Sequence, residues 1–278
     1  MIQLGQINTL EILRETDHGI YLVDEENNEV LLPNRYVPES FKIWDKIDVF
    51  VYLDNEERLV ATTDVPYIML GDFALLRCNQ VNDYGAFLDW GLVKELFCPF
   101  KEQAFKMKPG GWYLVYCYLD EKTERLAASS KTNRFLSNKD LTVKPFDEVD
   151  LIVSHPSDIG WNVIVNRTHT GLIYKDNIFT DVSVGDKLKG IIKKVRPGNK
   201  LDITLGQIGY RNIEPNAKRV LEALEDNSGY INLTDRSDPE AIKDQLQMSK
   251  KSFKKAVGTL YKQRKIELKP DGIYLVNS

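Results

Sequence analysis

Cysteine is scarce in this chain. Cys78, Cys98 and Cys117 are the three among 278 residues, odd in number, widely spaced and flanked by apolar or aromatic neighbours. A disulfide framework or a cysteine metal site needs paired, close spacings, so three reduced thiols in strands or core are expected. Histidine is equally sparse: His18, His155 and His169 have no cysteine or carboxylate partner at metal-ligand spacing. A glycine-rich phosphate loop, a Gly-x-Ser-x-Gly elbow and a His-Glu-x-x-His pair are all missing. The carboxylates lack the regular clustering that a metal-dependent nuclease requires. These gaps lead us to expect no enzymatic activity, no metal and no cofactor. Long apolar runs are missing too, none approaching the roughly 18 residues of a membrane span. The opening "MIQLGQINTL" has no basic region followed by an apolar stretch. No signal peptide is expected, and the cytoplasm is the expected compartment.

What is present is a core-forming composition, with 42% hydrophobic and 28% charged residues. The length allows about two average domains, or more if they are small. A formal net charge of −4 hides a gradient. Residues 1–64 carry 5 Lys/Arg against 14 Asp/Glu, whereas residues 243–269 carry 9 against 2. An acidic end and a basic end imply different partners for each.

The first three quarters repeat themselves. "LGQINTLEILRETDHGIYLV", "LGDFALLRCNQVNDYGAFLD" and "PFDEVDLIVSHPSDIGWNVIV" each join two strand-like runs through a polar turn and a glycine (Gly19, Gly85, Gly160). Each continues through a short loop to a closing hairpin whose last strands, "RLVATT", "RLAASS" and "KLDITL", superpose without gaps. Alternating apolar and polar residues with frequent turn signals indicate five short strands per unit. Five strands in roughly 65 residues fit the small Greek-key barrel of the OB-fold. Residues 65–140 and 143–208 resemble the OB-fold RNA-binding repeat named after ribosomal protein S-one, through "DYGAFLDW" with "LFCPF" and "DIGWNVIV" with "GLIYKDNIF". Cys98 and Tyr174 stand where that family's pattern has histidine, and residues 1–64 keep only "HGIYLV", a degenerate copy.

Rings on the open face of such a barrel are stacking platforms for single-stranded bases. Tyr84 and Phe87 flank the Gly85-Ala86 pair. Strand parity sends positions three apart to opposite faces unless a bulge intervenes, so we expect at least one of these rings at the surface. Phe100 and Lys101 follow on the next element. Trp161 and Tyr174 are the third unit's candidates, although either could belong to its core. Tyr21 is a weaker candidate, since the acidic first unit repels phosphate. Lys193, Lys194 and Arg196 lie on a basic hairpin able to follow a phosphate backbone.

After residue 212 the periodicity becomes helical. Residues 213–278 read as helix, short strand ("GYINL"), helix, turn, basic helix and hairpin, the order of a winged helix-turn-helix. Asp238 or Ser237 is expected to cap the middle helix and Ser249 the last, whose buried stripe is expected to be Phe253, Val257, Leu260 and Tyr261. Lys250, Lys251, Lys254, Lys255 and Lys262 are expected on its outer side. A winged helix also serves as a protein-docking module, and these lysines lack the arginine favoured for base readout. The expected architecture is mainly β with a C-terminal α+β module: three tandem OB-fold barrels followed by a winged helix. That order of modules resembles the conserved virulence factor B family of bacterial RNA-binding proteins. The resemblance implies a cytosolic regulator of gene expression that binds single-stranded RNA and has no catalysis of its own. A DNA-binding regulator and a protein-interaction scaffold are the competing readings.

Overall fold

The computed structural model describes residues 1–178, 181–205, 215–234, 236–262 and 265–276. It divides into two compact units, Met1–Leu205 and Gly206–Ser278.

The first unit holds three successive five-stranded sheets. The strands of the first are β1 (Ile7–Thr16), β2 (Gly19–Val23), β3 (Glu29–Pro33), β4 (Lys46–Leu53) and β5 (Leu59–Thr62). Those of the second are β6 (Phe73–Val81), β7 (Gly85–Asp89), β8 (Leu96–Pro99), β9 (Trp112–Asp120) and β10 (Arg125–Ser129). The third comprises β11 (Glu148–Ser157), β12 (Gly160–Val165), β13 (His169–Tyr174), β14 (Lys187–Arg196) and β15 (Lys200–Leu205). The first and third are closed barrels, and parallel pairing of β3 with β5 and of β13 with β15 supplies the closure. The second has the same strand order, open between β8 and β10.

The repeat visible in sequence has a structural cause. In every barrel the first long strand shifts register at the same place, between Ile12 and Arg14, Cys78 and Gln80, and Val153 and His155. A bulge there bends the strand and tightens its twist, which a barrel this small needs. The hairpin glycines then face the third strand at the closest approach. A Cβ on Gly19, Gly85 or Gly160 would stand 2.1, 2.4 or 2.0 Å from the carbonyl oxygen of Leu32, Cys98 or Ile173. Glycine is required by the crossing strand. Gly85 thus serves contact with its neighbour, while the coiling is done by the bulge on β6.

The barrels are packed against one another. Phe50 and Tyr52 of the first lie edge-on to Trp90 of the second, with ring centroids 5.7 and 6.3 Å away. Lys94 reaches across to the carbonyls of Leu53 and Asp54 at 2.9 and 2.7 Å, and burial pulls its pKa below the ordinary lysine value. Phe73 and Leu114 of the second barrel share a buried cluster with Ile152 and Ile164 of the third. Arg167 pairs with Asp72 across the same seam at 2.9 Å. The three cysteines are free and buried.

The second unit contains α1 (Pro215–Asp226), β16 (Tyr230–Ile231), α2 (Pro239–Leu246), α3 (Lys250–Lys262), β17 (Ile266–Lys269) and β18 (Gly272–Leu275), with sheet order β16-β18-β17. Asp238 caps α2 by accepting from Glu240 N–H at 2.9 Å, with Pro239 in the first turn. Ser249 Oγ accepts from Ser252 N–H and starts α3. The buried stripe of α3 is Phe253, Ala256, Val257 and Leu260. Tyr261, expected in that stripe, is 56% exposed, because at 100° per residue Ala256 fills the inner arc instead. The linker-like stretch "LGQIGYRNIEPN" lies almost wholly outside the described residues. Among the described residues, no helix is long and apolar enough to cross a membrane.

Candidate nucleic-acid interface

Strands two and three of an OB barrel, with the loops joining strands one to two and four to five, form its ligand face. On the second barrel that face opens onto a cleft of about 980 Å³, which Tyr52, Leu53 and Asn55 of the first barrel also line. Its floor is the cross-strand pair Phe87 and Phe97, in register on β7 and β8 with ring centroids 5.1 Å apart. Tyr84 rises beside them, 76% exposed, from a turn held by Asn82. The Asn82 side chain accepts from the Tyr84 and Gly85 N–H groups at 2.8 and 3.1 Å. Tyr84 sits in the turn and Phe87 on the strand, so both reach the same cleft despite their spacing in sequence. Phe97 was not singled out from the sequence. Pairing "GAFL" with "LFCP" around Gly85 and Pro99 would have placed it opposite Phe87.

Charge in the cleft is mixed. Lys101, 3.8 Å from Asp120, and Arg125, paired with Glu57, supply cations. Glu95 is occupied by the side-chain amides of Asn79 and Gln80 at 2.7 and 2.6 Å. Phe100 opens the short helical turn Phe100–Glu102, partly exposed, and its N–H donates to the Tyr84 carbonyl at 3.2 Å. It therefore braces the Tyr84 turn from outside the cleft lining. Cys98 points into the barrel, and burial pushes its thiol up to about 12. The residue at the family's histidine position is thus core here.

The other barrels differ at the matching positions. Ladder pairing aligns Tyr21 and Asn162 with Phe87, and Leu31 and Leu172 with Phe97. Trp161 aligns with Ala86, an inward position, and packs half-buried against the third barrel's core. Strand parity turns Trp161 inward, toward the core side open to it in the sequence reading. Tyr174 donates to Asp202 at 3.4 Å, and Arg196 Nε donates to the same carboxylate oxygen at 2.8 Å. The structure brings these two candidates together around a buried carboxylate, which already holds the Arg196 guanidinium. Lys193 and Lys194 are exposed, at a register shift in β14. On the first barrel, the Arg14 guanidinium stacks 4.2 Å from the Tyr21 ring centroid while paired to Glu29 at 2.6 Å.

In the second unit Lys251, Lys254 and Lys255 are exposed along α3. Lys250 is half-buried and donates to the Ser237 carbonyl at 2.8 Å, so it braces the turn before α2 and leaves the outer row. Lys262 closes α3, and its side chain lies outside the described residues.

Comparison with known proteins adds two domain matches. Residues 218–275 match a CvfB-like winged helix domain and residues 4–64 an S1 domain. The S1 match falls where the aromatic-glycine motif is least developed. YitL of Bacillus subtilis is 27% identical over 94% of this chain and 90% of its own length. Conserved virulence factor B of Staphylococcus aureus is 23% identical over 98% of this chain and 94% of its own. A crystal structure of a multidomain protein with nucleic acid binding domains from Streptococcus pneumoniae is 23% identical, covers 98% of both chains and has a TM-score of 0.44. The S1 and winged-helix matches point to a nucleic acid as the partner.

Proposed function

We propose that this relative of the conserved virulence factor B proteins is a non-catalytic regulator of gene expression that binds single-stranded RNA, chiefly in the cleft of its second barrel. The observation that carries this reading is the meeting of Tyr84, Phe87 and Phe97 on the strand-two and strand-three face. Bases need an aromatic surface free of competing side chains, and each stacked base contributes about 1–3 kcal/mol. A strand of nucleic acid lying along β7 and β8 would stack on the Phe87–Phe97 pair and on Tyr84. Lys101 at the rim meets phosphate, and the exposed lysines of α3 add backbone affinity that is blind to sequence. Absence of arginine from that lysine row favours backbone contact over reading of duplex base edges.

Filter binding of the full chain to single-stranded RNA, single-stranded DNA and duplex DNA at physiological salt tests the reading. We expect RNA to bind tightest and duplex to compete weakly. Tighter binding of duplex DNA would favour a transcription regulator acting through the winged helix. No binding of any of the three would leave a scaffold.

A further inference from the structure

We propose a second nucleotide-binding patch on the second barrel, outside the cleft, built from Trp112, Arg77 and Lys108 with Phe105 and Lys106 on the same loop. It rests on the RNA-binding reading above and extends the path of the bound strand. Trp112 begins β9 and is 62% exposed. Arg77 is its cross-strand partner on β6, exposed and directly opposite in the ladder. The loop between β8 and β9 folds back onto the same place. Gly110 N–H donates to the Cys78 carbonyl at 2.7 Å, and Cys78 N–H donates to that of Gly111 at 2.8 Å. Lys108 N–H donates to the Tyr113 hydroxyl at 2.8 Å, which sets Lys108 beside the start of β9. Phe105, 84% exposed, and Lys106 project from the same loop.

The same ladder position in the other barrels shows what is particular here. In the first barrel the pair is Glu11 and Lys46, joined as an ion pair at 3.6 Å. In the third it is Ile152 and Lys187, and Ile152 is buried against the second barrel. Only in the second barrel does this position combine a cation with an exposed indole. Arg77, Lys106 and Lys108 form no ion pair among the described residues. Asp89, across the ladder from Arg77 on β7, accepts from Gly91 N–H at 2.9 Å. Two solvent-facing rings and three cations outside any ion pair are the ingredients of a single-strand track. Asp89 also lines the cleft, so the row Trp112–Arg77–Asp89 leads out of it. A strand leaving the Phe87–Phe97 floor in that direction passes Asp89 at the cleft edge, then meets Arg77 and next the indole.

The test is RNA length. An oligomer of about six nucleotides fits one face, whereas about sixteen is near the upper site size of an OB fold. With the full chain, we expect Trp112→Ala to weaken the longer RNA about tenfold and the shorter one less than twofold. Arg77→Gln with Lys108→Gln should follow the same pattern and flatten the salt dependence on the longer RNA alone. Melting temperatures check that both variants fold. If wild type binds RNA and both variants bind both lengths unchanged, the patch is not a nucleotide site and a protein contact takes its place. Equal losses on both lengths would also overturn it, by merging the patch with the cleft. If wild type binds neither RNA, the underlying reading fails along with the patch.

Discussion

Phe87 and Trp161 occupy neighbouring rows of equivalent strands, and one residue of offset separates a platform from a core filler. Phe87 is half-buried against Phe97 on the outer face, whereas Trp161 turns into the third barrel. We therefore expect Phe87→Ala to weaken single-stranded RNA by about 1–3 kcal/mol with a smaller loss of stability. Trp161→Ala should do the reverse, lowering stability by about 2 kcal/mol or more and leaving affinity in the folded fraction unchanged. Thermal melts beside RNA titrations of both variants separate the two roles. The hairpin glycines allow a sharper check. At Gly160 an added methyl would stand 2.0 Å from the Ile173 oxygen, so the strands must part. Gly160→Ala should cost more than about 2 kcal/mol in a denaturant melt, a strain effect beyond the ordinary range for one methyl.

On α3 the lysine row is shorter than its sequence implies, because Lys250 is tied to Ser237. Replacing Lys251 and Lys254 with Gln should lower the salt slope of RNA binding by about one to two units. Lys250→Gln should instead lower the melting temperature and leave the slope alone. Plots of log affinity against log salt distinguish the pair. The elements themselves were legible in the sequence because period-two strands, a glycine hairpin and a capped amphipathic helix are local signals. Ser249, Asp238 and the turn around Gly272 belong to the same local class. Which ring faces outward was not local. It depends on counting from the ladder, where Gly160-Trp161-Asn162 aligns with Gly85-Ala86-Phe87, and a bulge on the partner strand leaves no mark in composition. Phe97 as the partner of Phe87 was legible by contrast, because β7 and β8 pair from Gly85 and Pro99 without a register shift.

At the scale of the molecule, three repeats read from sequence as successive modules, yet they form one compact unit whose seams each hold a buried apolar cluster. Nothing in a strand pattern reveals that Phe50 and Tyr52 pack against Trp90, since those contacts link residues far apart in the chain. Deleting residues 1–64 to test the acidic barrel would uncover Trp90, so charge substitutions within it are the cleaner probe. The buried thiols report on the integrity of the unit. Burial pushes Cys98 and Cys117 up to about 12, against roughly 8.5 for a free thiol. A raised folded-state pKa means this contribution is fully present below about 8.5 and is lost as pH climbs toward 12. At pH 8 we expect iodoacetamide to leave both thiols unmodified in the native protein and to label them on unfolding, as read by mass spectrometry.

The most direct measurement is photocrosslinking of single-stranded RNA to the full chain, with the adducts mapped by mass spectrometry. We expect the principal adducts on Tyr84, Phe87 and Phe97 in the cleft, with fewer on α3. Adducts confined to the winged helix, or distributed evenly over the three barrels, would contradict a dominant cleft on the second barrel.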